Sequence, residues 1–267
     1  MRSMFSSIIL LFCVSACSQD SADTSETKLI EVPVGIEVPS TNLAIPDNRF
    51  SNMYQVLIFG NSHVTKQASL IQTLITTGNP NANVEIHNAG GGFLDDNLQS
   101  QTSVALLENE PWTHVILQGQ KYSQSGATLY STTAAQVWID KAKSHAITPI
   151  LFPEHPQKGN KEEGSLVHLI HTGIAQLQKA CVAPVGLAWD KALEIAPRLV
   201  LHQDDGNHAT LIGNLLTALI FYEVITGESA DLLPYISAIE VEEGTQQLLG
   251  QIASETIQAN QPCLLGT

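Results

Sequence analysis

From residue 55 onward, short strand-like runs alternate with helical patterns, and that alternation constrains the fold more than any other feature of the chain. The runs lie at 55–59, 83–87, 114–118, 148–152 and 182–186, each bounded by turn-forming or polar residues. Short apolar runs so bounded read as strands. Helical periodicity fills 65–78, 94–108, 128–146 and 165–180, with two further helices at 210–226 and 242–259. Strands that alternate with helices build βαβ units, so the expected class is α/β: a three-layer α/β/α sandwich around a central, mainly parallel five-stranded sheet. With 267 residues, 43% of them apolar, the chain has enough material for one such core. No internal repeat interrupts it, and 51–267 reads as a single domain.

The first 50 residues read differently. Residues 1–17 carry Arg2, an apolar stretch Ile8-Ile9-Leu10-Leu11-Phe12-Cys13-Val14, and then Ser15-Ala16-Cys17. The stretch is too short for a finished membrane span and has the form of a signal peptide. Its end resembles the lipobox of bacterial lipoproteins, which implies cleavage before Cys17 and lipid attached to it. Ser18 follows rather than Asp, which by the lipoprotein sorting rule implies the outer membrane if the cell is Gram-negative, and the cell envelope otherwise. Residues 18–28 are polar and aperiodic, as expected of a solvated tether. Residues 29–50 alternate Ile30, Val32, Val34, Ile36 and Val38 with polar residues and Pro33 and Pro39, predicting an extended surface segment or an added edge strand. Processing would leave Cys181 and Cys263 in an oxidising compartment, where they can bridge.

The first strand runs Val56-Leu57-Ile58-Phe59 into Gly60-Asn61-Ser62-His63. A serine in the turn after such a strand, at the mouth of a helix, sits where α/β folds place reactive groups. Unpaired N–H groups at a helix start can receive the charge that develops when a serine attacks a carbonyl. Ser62 is therefore the candidate nucleophile. Asp205 and His208 lie three residues apart in a turn beyond the last strand, close enough for the carboxylate to hold the imidazole as a base. Gly90-Gly91-Gly92 follows the second strand and lets backbone amides approach a ligand. Gln118-Gly119-Gln120 follows the third and offers a side-chain amide. Glu154-His155-Pro156 ends the fourth, either lining the cleft or forming an ordinary loop.

Taken together, these positions resemble the SGNH hydrolases, also called GDSL-like lipases and esterases, over about 56–227. The resemblance implies a flavodoxin-like sandwich and a Ser62, His208, Asp205 triad. It implies an oxyanion hole from the backbone N–H of Ser62, that of Gly91 (with Gly90 the near alternative) and a third side-chain donor. Two departures stand out. Gly-Asn-Ser replaces the common Gly-Asp-Ser, and the Gly-x-Asn-Asp that normally supplies the third donor is absent. Gln120 aligns with the missing Asn, and Gln118 is the runner-up.

Ser62 is followed by His63 and Val64, not by the x-Gly of a nucleophile elbow, which argues against the α/β-hydrolase fold. No zinc motif or phosphate-binding loop occurs, so neither a metal nor another cofactor is expected. His168 and His171 share a helical stretch but read as ordinary helix residues. A net charge of −14 argues against nucleic acid and against anionic membrane surfaces as partners, leaving the N-terminal lipid as the membrane contact. The expected substrate is a small-molecule or glycan ester, foremost an O-acetylated carbohydrate, with lysophospholipid or other lipid esters second. A non-catalytic, glycan-binding lipoprotein is the competing class.

Overall fold

A computed structural model describes residues 28–29 and 36–265. The signal peptide, the lipobox with Cys17, the tether up to residue 27, and Ile30, Val32 and Val34 all lie outside the described residues. In chain order the elements are β1 (Lys28–Leu29), β2 (Met53–Gly60), a 3₁₀ turn (Ser62–Val64), α1 (Gln67–Gly78), β3 (Asn83–Gly91), α2 (Leu94–Gln99), α3 (Gln101–Asn109), β4 (His114–Leu117), β5 (Thr128–Leu129), α4 (Thr133–Ser144), β6 (Thr148–Leu151), α5 (Glu163–Leu177), β7 (Cys181–Val182), α6 (Val185–Ile195), α7 (Leu211–Thr226) and α8 (Glu243–Ala259).

The main sheet has five parallel strands in the order β3-β2-β4-β6-β7. β2 is interior, and Val56, Leu57, Ile58 and Phe59 are all fully buried. Successive side chains of a strand face opposite ways. Val56 and Ile58 therefore join one apolar cluster with Ile71, Trp189 and Phe221, whereas Leu57 and Phe59 join another with Leu107, Trp138 and Leu151. Helices on both faces are what make an unbroken apolar run the right sequence for a central strand. α7 is apolar all round and packs against α1, α6 and α8.

Three expectations are revised. The run at 182–186 is a strand only at Cys181–Val182, because Pro184 starts a helix there, and Val185, Ala188, Trp189 and Ala192 form the buried stripe of α6. The helix expected over 94–108 breaks at Ser100, whose hydroxyl accepts from Ser103 N at 3.2 Å and caps α3. The helix expected over 128–146 begins only at Thr133, since Thr128–Leu129 pairs in parallel with Lys28–Leu29. Residues 36–50 form no helix or strand and run over the surface, tied down by Asn48 Nδ2 to Thr113 O at 2.8 Å and Lys143 Nζ to Leu43 O at 2.9 Å. Cys181 and Cys263 are disulfide-bonded, pinning the tail to the edge strand β7. No helix among the described residues is long and apolar enough to cross a membrane.

Candidate active site

At the carboxyl ends of the strands, the 3₁₀ turn following β2 presents Ser62 to solvent. Asn61 caps this turn, its Oδ1 accepting from His63 N at 3.0 Å. Val64 N donates to Asn61 O and Thr65 N to Ser62 O. Asn61 N donates to Gln118 Oε1 at 2.8 Å. Every amide from Asn61 to Thr65 is thus occupied except that of Ser62, which has no acceptor among the described residues.

The turn carrying Asp205 and His208 folds over Ser62. His208 Nε2 lies 2.8 Å from Ser62 Oγ, and His208 Nδ1 lies 2.5 Å from Asp205 Oδ2. Asp205 Oδ1 accepts from the backbone N–H of Asn207 and of His208, each at 2.9 Å. The bonded His208 imidazole and these two amides hold the Asp205 carboxyl well below the usual carboxylate range. Asp205 is therefore an acceptor only, so Nδ1 of His208 carries a proton towards it, and in the tautomer this selects, Nε2 accepts from the serine hydroxyl. The turn itself is held by Gln203 N to His208 O at 2.7 Å and by His155 Nε2 against Asn207 O at 2.8 Å.

No family model and no curated protein matches the chain. Solved structures do. A DUF4886 family protein from Bacteroides uniformis superposes with a TM-score of 0.63 at 15% identity, over 80% of this chain and 98% of that one. A proposed SGNH hydrolase from Slackia heliotrinireducens superposes with a TM-score of 0.51 at 23% identity, over 64% of this chain and 98% of that one. The chain has the SGNH-hydrolase fold. At these identities the likeness is one of fold.

Within this SGNH-type sheet, the glycine run at the end of β3 lies beside the serine turn, Gly60 pairing with Gly91. Gly90, Gly91 and Gly92 have φ of 62°, 96° and 85°, a region that side-chain-bearing residues avoid. A Cβ on Gly91 would also collide with the Asn97 amide. Gly90 N donates to Asn88 Oδ1 and Gly92 N to Gly60 O, so those two amides are occupied. Gln120 is in the cleft wall, but its Nε2 donates to Lys121 O at 2.8 Å and Ser131 O at 3.1 Å. Both of its amide protons are thus engaged, unlike the free donor that the sequence suggests. Gln118 is fully buried, and its Nε2 donates to Glu154 Oε2 at 2.7 Å. Neither glutamine presents a free N–H pair at Ser62.

Sequence reasoning missed the aromatic support behind the imidazole. His63 stacks on His208, with ring centroids 5.6 Å apart, and meets His155 edge-on at 4.8 Å. His155 stacks in turn on Trp189 at 3.9 Å. Burial, and then the neighbouring His208, lower His63 to about 4. Burial, and then His63, lower His155 to about 3. Both rings are neutral near pH 7, so they stack without placing a cation beside His208. The available signals were the adjacency of His63 to Ser62 and of His155 to Glu154 at strand ends.

A cleft of about 650 Å³ opens beside Asn61, walled by Phe93, Tyr122, Gln124, Tyr130 and Glu154. Glu163 secures two of its walls, accepting from Tyr122 at 2.8 Å and Gln124 at 2.6 Å, and from Gln157 N at 2.6 Å. His168 and His171 stay on α5, with His171 Nδ1 against Val167 O at 2.8 Å. Among the described residues no group of three or more His, Cys, Asp or Glu side chains is placed to hold a metal.

Proposed function

We propose that the protein is a serine ester hydrolase. The observation that carries this reading is the continuous contact from Asp205 through His208 to the exposed Ser62 hydroxyl, at 2.5 and 2.8 Å. Ser62 Oγ attacks the ester carbonyl while His208 Nε2 takes its proton, and Asp205 stabilises the imidazolium. The unbonded Ser62 amide, together with the Gly91 amide, receives the oxyanion. His208 then returns the proton to the departing alcohol, leaving an acyl-Ser62. Water, deprotonated by His208, attacks that acyl group; the bond to Ser62 Oγ breaks as His208 returns the proton to it, and the carboxylic acid is released.

The favoured substrate is an O-acetyl ester of a carbohydrate. Supporting this is the cleft beside Asn61, whose tyrosines, glutamines and exposed Phe93 suit a polyhydroxylated ring better than an acyl chain. The Val14-Ser15-Ala16-Cys17 stretch supports a lipid-anchored protein of the cell envelope. The test is hydrolysis of p-nitrophenyl acetate and of an O-acetylated oligosaccharide by wild type and Ser62→Ala. Turnover is expected to fall by about 10⁴-fold or more, with the far-UV spectrum unchanged. Wild-type turnover by purified Ser62→Ala would refute the assignment.

A further inference from the structure

The triad does not explain why Gln118 and Glu154, two polar side chains at neighbouring strand ends, are joined beneath the serine turn. Gln118 directly follows β4 and is fully buried; Glu154 lies just beyond β6 and is half-buried. Buried polar side chains persist where they are satisfied, and Gln118 is satisfied at both ends. Its Oε1 accepts from Asn61 N at 2.8 Å and its Nε2 donates to Glu154 Oε2 at 2.7 Å. The orientation of the amide follows from its neighbours. The Asn61 N–H can only donate, so it must face the carbonyl end, and a carboxylate oxygen on the other side needs the NH₂ end.

Gly60 makes room for this contact, since a Cβ there would lie 2.5 Å from Gln118 Oε1 and 2.8 Å from Val64 Cγ1. Asn61 is the cap of the turn, and the next peptide is the Ser62 amide assigned above to the oxyanion. The bridge therefore crosses three adjacent strand ends, β2, β4 and β6, and ends on the peptide preceding the nucleophile. Tyr122, bonded to Glu163, lines the same cleft wall as Glu154.

We propose that Gln118 and Glu154 are positioning residues: a buried strut that fixes the peptide before Ser62, and so sets the aim of its hydroxyl and amide. Neither residue needs to touch substrate or carry a proton in the reaction. This inference rests on the hydrolase reading above. Misplacing a reacting group by about 1 Å costs about 10²-fold in rate, so loss of the strut appears in kcat rather than in KM.

The test compares Glu154→Leu and Glu154→Gln in the full chain, with Ser62→Ala alongside. Leu fills the space but cannot accept from Gln118. Gln accepts through its own Oε1 and carries no ionisable proton. The expected result is a 10- to 100-fold lower kcat for Glu154→Leu at unchanged KM, with kcat for Glu154→Gln within about threefold of wild type. Phosphonate labelling of Ser62 should slow in the Leu variant alone, with thermal unfolding recorded to confirm that each variant is folded. A Glu154→Gln variant as impaired as Glu154→Leu would overturn the strut, because the carboxylate itself would then be required. Wild-type kcat in folded Glu154→Leu would overturn it too. Failure of the hydrolase reading is separate and shows as activity persisting in Ser62→Ala.

Discussion

His171 allows a test of the fold's acid sensitivity whose magnitude follows from two atoms. It lies on the inner face of α5, 2% exposed. Its Nδ1 faces Val167 O, a pure acceptor, so the neutral tautomer carries its proton there; Nε2 is buried without a partner among the described residues. A bare lone pair in apolar surroundings is tolerable, whereas a second N–H on a cation there is not. Burial accordingly lowers the imidazole from 6.5 to about 4. Between those values the unfolded chain binds a proton that the folded chain refuses, so stability is fully present above about 6.5 and is lost as pH falls towards 4. A window of about 2.5 pH units at about 1.36 kcal/mol per unit amounts to about 3 kcal/mol. The perturbation is His171→Leu, and the assay is urea unfolding of both proteins from pH 7.5 to 4.5. Other groups, including Asp190, which burial raises to about 6, are common to both and cancel in the difference. The stability of wild type relative to the variant should fall by about 2–3 kcal/mol on acidification, most of it below pH 6.5. A difference flat to within about 0.5 kcal/mol would show that His171 protonates freely in the native state, and the reasoning from its unpartnered Nε2 would fail.

Breaking the Cys181–Cys263 bridge, which spans 82 residues, should lower the free energy of unfolding by about 4 kcal/mol through the freed unfolded chain, read by denaturation of Cys263→Ser; a loss under about 1 kcal/mol would contradict it. Ester hydrolysis by the folded variant should persist, because β7 is the sheet edge away from the β2–β3 side where Ser62 sits. Gly91→Ala should both destabilise the protein by at least about 1 kcal/mol and lower kcat by about 10²-fold, because a positive φ and the Asn97 amide both oppose a Cβ there. Gly92→Ala, strained but with open space around its Cβ, should be milder on both measures.

What could be read from the sequence follows from how far apart the cooperating residues lie. β2 was legible because a strand covered on both faces must be apolar at four successive positions, and Val56 to Phe59 satisfy that locally. Asp205 and His208 were legible for the same reason, as a three-residue turn is a local object. The partnership of Ser62 with His208 spans most of the domain, and it was suggested by their shared placement at strand ends and by the SGNH resemblance. α6 was misread because Val182 to Gly186 looks like a buried strand over five residues. The helical spacing declares itself only at Ala188, Trp189 and Ala192, beyond the proline.

Gln118 and Gln120 show the same limit at atomic scale. Either amide could have been the donor, and spacing alone cannot say which way a side chain turns at a strand end. In the fold, Gly119 adopts φ of 101°, and the residues on its two sides go to different places. Gln118 turns under the serine turn to meet Glu154, while Gln120 turns outward to the carbonyls of the cleft wall. The missing Asn of the Gly-x-Asn-Asp pattern therefore need not mean a lost activity. A glutamine at this strand end has an acceptor for the serine turn's backbone at one end of its amide and a donor for a carboxylate at the other. Gln118, two residues before the Gln120 that aligns with the missing Asn, can thus stiffen the peptide next to the one that supplies the Ser62 amide.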